Sequence, residues 1–393
     1  MNESTFTPGG GQPAGHGPTG LQAVGSVAVR TFAAHQSGYK SSPQQKPTQT
    51  AHQSMDGHHV NAMAGDRSGD THSHFADYDE LSPEGHFYDP DAEYEPDPEY
   101  AATLAPDAAR QRRERVGPTG RPLPYFPIPG PLTDHGPAKI IAMCNQKGGV
   151  GKTTSTINLG AALAEYGRRV LLVDFDPQGA LSVGLGVNPM ELDLTVYNLL
   201  MERGMSADEV LLKTAVPNMD LLPSNIDLSA AEVQLVSEVA RESTLQRALK
   251  PLMADYDYIV IDCQPSLGLL TVNALTAAHK VIVPLECEFF ALRGVALLTE
   301  TIEKVQERLN PELELDGILA TMYDSRTVHS REVLARVVEA FDDHVYHTVI
   351  GRTVRFPETT VAGEPITTYA SNSVGAAAYR QLAREVLARC HAE

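Results

Sequence analysis

The chain has 393 residues, with 31 Lys and Arg against 50 Asp and Glu, a formal net charge of −19. That length is ample for a large core, and no apolar run approaches the roughly 20 residues of a membrane-spanning helix or follows a basic start as in a secretory leader. The acidic balance argues against a chain that coats nucleic acid over its whole surface, and the four cysteines lack the paired spacing of a zinc knuckle or disulfide framework.

Composition changes sharply near residue 136. Residues 1–135 are rich in Gly, Pro, Ser, Gln and His and show no sustained period of two or 3.6, so they read as a disordered low-complexity tail. Nine Lys and Arg against seventeen Asp and Glu leave the tail at −8 and residues 136–393 at −11. Three runs stand out in it: the acidic, tyrosine-bearing 77–99, the basic Arg110 to Arg115 (RQRRER), and the proline-rich 122–131 (PLPYFPIPGP). Solvated tail and linker account for all three. Aromatic residues on an extended proline-rich strand also suit docking into a groove.

From Lys139 the chain alternates strand and helix. The apolar KIIAMC feeds KGGVGKTT at 147–154, which feeds a predicted helix over Thr153 to Tyr166. A strand, a glycine turn and a helix make a phosphate cradle: glycines admit phosphate oxygens to backbone N–H groups, and the helix adds its unpaired N–H groups and positive dipole end. The candidate nucleotide-binding residues are Lys147, Gly148, Gly149, Val150, Gly151, Lys152, Thr153 and Thr154, with Lys152 on the β/γ-phosphates and the Thr153 hydroxyl on Mg²⁺. A literal search for the usual loop fails because Gln146 stands where its first glycine belongs. Lys147 therefore needs an explanation of its own, since Lys152 already serves the phosphates.

Two buried strands end in carboxylates, where an open parallel sheet delivers ligands. One is VLLVDFD, ending at Asp176 and continuing into PQG; the other is DYIVID, ending at Asp262. Asp262 is the candidate outer-shell Mg²⁺ ligand, with Asp174 and Asp176 around the γ-phosphate and Asp174 counted with the metal residues. The plainer reading of such carboxylates is a helix cap or turn. Further strands are expected at Met219–Leu222, Tyr258–Ile261, Val281–Leu285, Gly317–Met322 and Val345–Ile350, with helices at Leu292–Leu309 and Arg331–Phe341. The alternation implies an α/β fold, a doubly wound, mostly parallel sheet with helices on both faces, as one domain over 136–393.

Lys147 to Thr154, VDFDPQG at 173–179 and IDCQPSLGLLTVNALTAA at 261–278 resemble the deviant P-loop ATPases of the ParA/Soj chromosome-partitioning type, a likeness covering residues 138–390. The resemblance implies that Lys147 reaches across a two-fold interface to the partner subunit's nucleotide, and that Asp176 orients the hydrolytic water. With Lys152 these are the catalytic candidates. It further implies ATP and Mg²⁺ sandwiched in a homodimer, slow hydrolysis stimulated by a ParB-like centromere-binding protein, and a cytoplasmic, nucleoid-associated role in partitioning a chromosome or plasmid. The ATP-bound dimer would hold DNA non-specifically through arginines in regions resembling Arg326, Arg352 and Arg355, with Arg331, Lys304 and Arg308 as neighbours. Pairing with Glu332, Glu358 or other local acids is the plainer reading of those arginines. The resemblance also places the adenine pocket near Gly351 to Glu364. The DPQG motif separates this type from MinD-like relatives, and Gln264 departs from the family, where proline commonly follows the Asp-Cys pair. Two alternatives remain: an ATPase that positions another cargo through protein contacts of its tail, and a MinD-like membrane switch. The latter would use the amphipathic Val374 to Cys390, which reads instead as a packed helix because it lacks bulky aromatic and lysine-rich faces.

Overall fold

The structure is a computed structural model that describes residues 116–288 and 291–391. The acidic 77–99 run and Arg110 to Arg115 lie outside the described residues. Strand β1 (Lys139–Met143) leads through the glycine loop into α1 (Lys152–Glu165), followed by β2 (Val170–Phe175). The chain then breaks into short pieces: α2 (Ala180–Gly184), α3 (Val196–Met201), α4 (Ala207–Val210), β3 (Leu212–Lys213), β4 (Met219–Leu222), α5 (Leu228–Gln234) and α6 (Thr244–Leu249). Regular alternation resumes with β5 (Tyr258–Cys263), α7 (Leu269–Ala277), β6 (Lys280–Glu286), α8 (Ala291–Arg308), β7 (Glu314–Thr321) and α9 (Val328–Phe341). The chain closes with α10 (Arg355–Ala362), α11 (Ile366–Tyr369) and α12 (Val374–His391).

The sheet runs β3-β4-β2-β5-β1-β6-β7, parallel throughout except for β3 against β4. Its strands are apolar on both faces because both are covered, and successive residues feed opposite layers. Ile140 and Ala142 join one core with Leu270 and Ala274 of α7 and with Val295, Leu298, Ile302 and Val305 of α8, which recur at helical spacing. Ile141 and Met143 join the other, with α1 and α12. Helix α1 was expected to bury one broad face, yet Ser155 through Ala164 are all buried. The reason is α12, whose Tyr379, Leu382, Val386 and Leu387 pack into the same core beside α1. Tyr379 Oη lies 3.1 Å from Ser155 Oγ, and Arg380 Nε donates to Glu165 at 2.7 Å. The apolar stripe at the C-terminus is thus taken up by packing, and among the described residues no helix is long and apolar enough to cross a membrane.

Two expectations need correction. Val345–Ile350 is not a strand; it meets β7 through an isolated bridge of Val345 with Ile318 and main-chain bonds from Tyr346 N to Ile318 O at 3.0 Å and from Ile350 N to Ala320 O at 2.8 Å, with a further bridge from Gly351 to Tyr323 past the strand's end. Its central N–H groups are captured by a buried carboxylate: Glu385 of α12 accepts from His347 N at 2.8 Å and Thr348 N at 2.9 Å, which stops a ladder from forming. Residues 116–135, grouped with the tail on composition, are held against the domain instead. Arg121 donates to Asp342 O at 2.8 Å and to Val345 O, Arg168 donates to Gly130 O at 2.7 Å, and His135 Nδ1 lies 2.8 Å from Asp257 Oδ2. These bonds run from side chains to main-chain carbonyls or a lone carboxylate, so no apolar pattern announces them.

Candidate nucleotide site

The loop after β1 is shaped by Asn145, whose Nδ2 donates to Pro284 O at 2.7 Å and whose Oδ1 accepts from Lys147 N at 3.0 Å. Gly149 and Gly151 take φ of 76° and 82°, a left-handed conformation that side chains resist. Thr321, at the end of β7, ties the loop down by donating to Val150 O at 2.9 Å. The Lys152 side chain folds back over the cradle, its Nζ 3.1 Å from Lys147 O. Gly151 then caps α1, whose first N–H groups face the same space.

The register of β2 and β5 sets Asp174 directly beside Asp262. Thr153 Oγ1 donates to Asp262 Oδ2 at 2.6 Å, so hydroxyl and carboxylate stand together at the helix start. Burial, and then the neighbouring Asp174, push the Asp262 carboxyl up to about 8, against the pull of Thr153 and Lys152. A buried carboxylate paired with a hydroxyl at a phosphate loop suits a divalent cation. Among the described residues no cluster of three acidic or other metal-ligating side chains surrounds the spot. An ion here would take much of its shell from phosphate and water, as Mg²⁺ does.

Asp174 is engaged elsewhere. Its Oδ2 accepts from Ser182 N at 2.8 Å and Ser182 Oγ at 2.7 Å, so it anchors α2 from within the core. Burial raises it to about 6 despite those bonds. Asp176 is half-buried one step past β2, its Oδ1 accepting from Gln178 N at 3.0 Å within the DPQG turn. Lys152, Thr153 and Asp262 therefore converge, with Asp174 behind them and Asp176 on an adjacent turn.

Both raised carboxyls act on stability in one direction. Their folded pKa values lie above the ordinary 3.8, so the folded chain favours the protonated forms; the stability this lends is complete below about 3.8 and lost as pH rises towards 6 for Asp174 and 8 for Asp262. The nucleotide-free, metal-free chain is expected to melt at progressively lower temperature from pH 5 to pH 8. Asp262→Asn should flatten that slope in a calorimetric series, and an unchanged slope would contradict the assignment.

Lys147 stands apart from the cradle and is 42% exposed, its Nζ held 3.0 Å from Glu286 Oε2 and 2.6 Å from Glu288 Oε2. Burial pulls its pKa down, and the hydrogen bonds to Glu288 and Glu286 outweigh that and raise it. Arg352 shares Glu286 at 3.8 Å. The other candidate arginines also have local acids: Arg326, 89% exposed, makes a two-pronged contact with Asp324 at 2.9 Å, and Arg355 lies 3.0 Å from Glu358. Arg326 and Arg352 both adjoin the carboxyl end of edge strand β7, Arg352 N donating to Tyr323 O at 3.1 Å. Gln264 bonds Glu232 of α5 at 3.1 Å, tying the segment after Asp262 to that helix. Asn145, Thr321, Ser182, Glu286 and Glu288 escaped sequence reasoning. Glu286 was findable, as an acidic strand end like Asp262.

Residues 138–315 match a family model described as an AAA domain. The chain is 69% identical over 274 residues to an uncharacterized protein of Mycobacterium tuberculosis, covering 70% of this chain and 86% of that one. It is 48% identical over 250 residues to the sporulation initiation inhibitor protein Soj of Bacillus subtilis, 64% of this chain and 98% of Soj. Among solved structures, a Mycobacterium smegmatis protein described as cobyrinic acid a,c-diamide synthase with bound ADP and magnesium is 46% identical, with a TM-score of 0.58 over 65% of this chain and 96% of that one. A chain whose phosphate loop and acidic strand ends are built in this way, and which matches Soj over nearly all of its length, belongs to the ParA/Soj family of P-loop partitioning ATPases.

Proposed function

We propose that this ATPase is a nucleotide-driven dimerisation switch that grips DNA without sequence preference while ATP is bound and releases it after hydrolysis, in partitioning a chromosome or plasmid with a ParB-like partner. One observation carries the reading. The loop has two lysines: Lys152 lies over its own cradle, whereas Lys147 projects from the face and is paired with Glu286 and Glu288. A lysine with no phosphate to serve in its own chain suits a second subunit's phosphate. This favours a dimer switch over diamide synthesis of the kind for which the Mycobacterium smegmatis neighbour is named.

ATP would lie along Gly148–Thr154, with Lys152 on its outer phosphates. Mg²⁺ would be held by Thr153 and, through water, by Asp262, and when bound it neutralises charge developing on the phosphate oxygens. Asp176, half-buried on its turn, would orient the water. Lys147 must leave two carboxylates to reach a partner. The DNA face would comprise Arg326, Arg352 and Arg355, each exchanging its local acid for a phosphate, a local footprint compatible with the acidic total. A cytoplasmic, nucleoid-associated location follows from that activity.

The test is co-sedimentation of an Asp176→Ala chain with non-specific duplex DNA in ATP or ADP, since loss of the water-orienting carboxylate traps the closed state. ATP-dependent, salt-sensitive sedimentation is expected. Equal sedimentation in both nucleotides would replace the DNA switch with a protein-tethered positioning ATPase.

A further inference from the structure

The proline-rich segment takes no part in the nucleotide site, yet its conformation is tightly fixed by its own sequence. Pro122, Pro124, Pro127, Pro129 and Pro131 have φ locked near about −65°. Arg121, Leu123, Phe126, Ile128 and Gly130 each precede a proline, which disfavours the helical region. Between 121 and 131 Tyr125 alone escapes both constraints. Residues 123–132 accordingly contain no helix, strand or turn.

Polyproline II has three residues per turn, so its side chains fall on three edges. Pro122, Tyr125 and Ile128 share one edge and are exposed, Tyr125 at 68% and Ile128 at 71%. Leu123, Phe126 and Pro129 share another and are half-buried against the domain. The segment is pinned at both ends, by Arg121 on Asp342 O and Val345 O and by Gly130 O under Arg168. Nine steps of polyproline II cover roughly 28 Å. The anchors are separated by five inter-strand steps, from Val345 beside β7 across β6, β1 and β5 to the start of β2, or roughly 24 Å. The two lengths agree within the reach of an arginine side chain, as expected of a strap that runs nearly straight from beside β7 to the amino end of β2.

We propose that residues 121–131 form a pre-set polyproline II ridge for a partner protein whose groove is lined with aromatic side chains, docking on the edge Pro122, Tyr125 and Ile128. Such grooves recognise this helix because its ordering cost is met before contact. Arg121 is already engaged by two carbonyls, so the partner needs no acidic end to its groove. A membrane is the poorer occupant, since two apolar side chains without accompanying lysines give little hold. The phosphate loop lies at the carboxyl ends of the strands, so the partner occupies the opposite pole and binds with either nucleotide.

The experiment places photoreactive benzoyl-phenylalanine at position 125 of the full chain in its native cells. The cross-linked protein is then purified and titrated with a synthetic peptide of residues 119–131. The expected result is a protein adduct competed by that peptide, with at least about a tenfold loss of peptide affinity on Tyr125→Ala or Ile128→Ala, the scale of one interface hot spot. Ile128 is exposed, so Ile128→Ala in the full chain should leave its melting temperature unchanged while abolishing the adduct formed from position 125. Adducts only to the chain itself or to lipid, no adduct, or a partner indifferent to both substitutions would overturn the proposal.

Discussion

A Lys152→Ala chain is expected to lose nucleotide binding by about 100-fold or more, whereas Lys147→Ala keeps it within about threefold and loses ATP-dependent dimerisation. The two lysines are five residues apart in one loop, and their surroundings assign them different work. Lys152 is buried, with its Nζ on the Lys147 carbonyl, so its charge can be used only within the cradle. Lys147 has both of its carboxylates outside the cradle, at and beyond the end of β6. Titration with a fluorescent ATP analogue reads the first effect and sedimentation velocity at several protein concentrations reads the second. Equal nucleotide affinities for both variants, or a Lys147→Ala chain that still dimerises with ATP, would remove the basis for a trans-acting lysine.

The second large effect lies far from the nucleotide. Glu385→Ala should destabilise the fold by about 3 kcal/mol, because it strands several groups at once. The carboxylate is wholly buried; it accepts from His347 N and Thr348 N and from Arg389 at 3.2 Å. Arg389 in turn lies 4.2 Å over the Tyr346 ring and donates to Asp316 O at 2.8 Å, while Tyr346 Oη donates to Asp316. Deleting the carboxylate leaves two N–H groups unsatisfied and takes from a buried guanidinium its charged partner, and neighbours of this kind do not behave additively. For a domain of this size the melting temperature should fall by roughly 6–12 °C. Glu385→Gln keeps one acceptor and should cost less; if both variants melt with the parent, the carboxylate does not hold the segment.

The central strands and the glycine loop were legible because each writes its own local pattern. An apolar run that ends in a carboxylate or a glycine turn names both the strand and the candidate ligand it carries, as at Asp262 and at Lys147 to Thr154. What escaped depends on partners distant in sequence. The run Val345–Ile350 has the apolar residues of a strand, and only Glu385, thirty-seven residues past Thr348, takes its N–H groups away. The strap at 116–135 has the composition of a tail, and its anchors Arg168 and Asp257 lie well outside it in sequence. Asp174 reads as a member of the phosphate site from its place at the acidic end of an apolar run; in the structure its carboxylate bonds Ser182 of α2. Glu286 could be found as an acidic strand end; what no spacing relates is its link with Glu288 to Lys147.

The pairing of Lys147 has a consequence for how ionic strength would act on the proposed cycle. Closing the dimer exchanges a lysine–carboxylate contact within one chain for a lysine–phosphate contact between chains, so the number of ion pairs hardly changes and screening weakens both sides alike. Seating the closed dimer on duplex DNA is a different process, since each phosphate met by an arginine sets free condensed counterions, and the logarithm of affinity falls with log salt by about 0.9 per phosphate. Raising the salt therefore strips the closed dimer from DNA without opening it, which separates the grip from the clock.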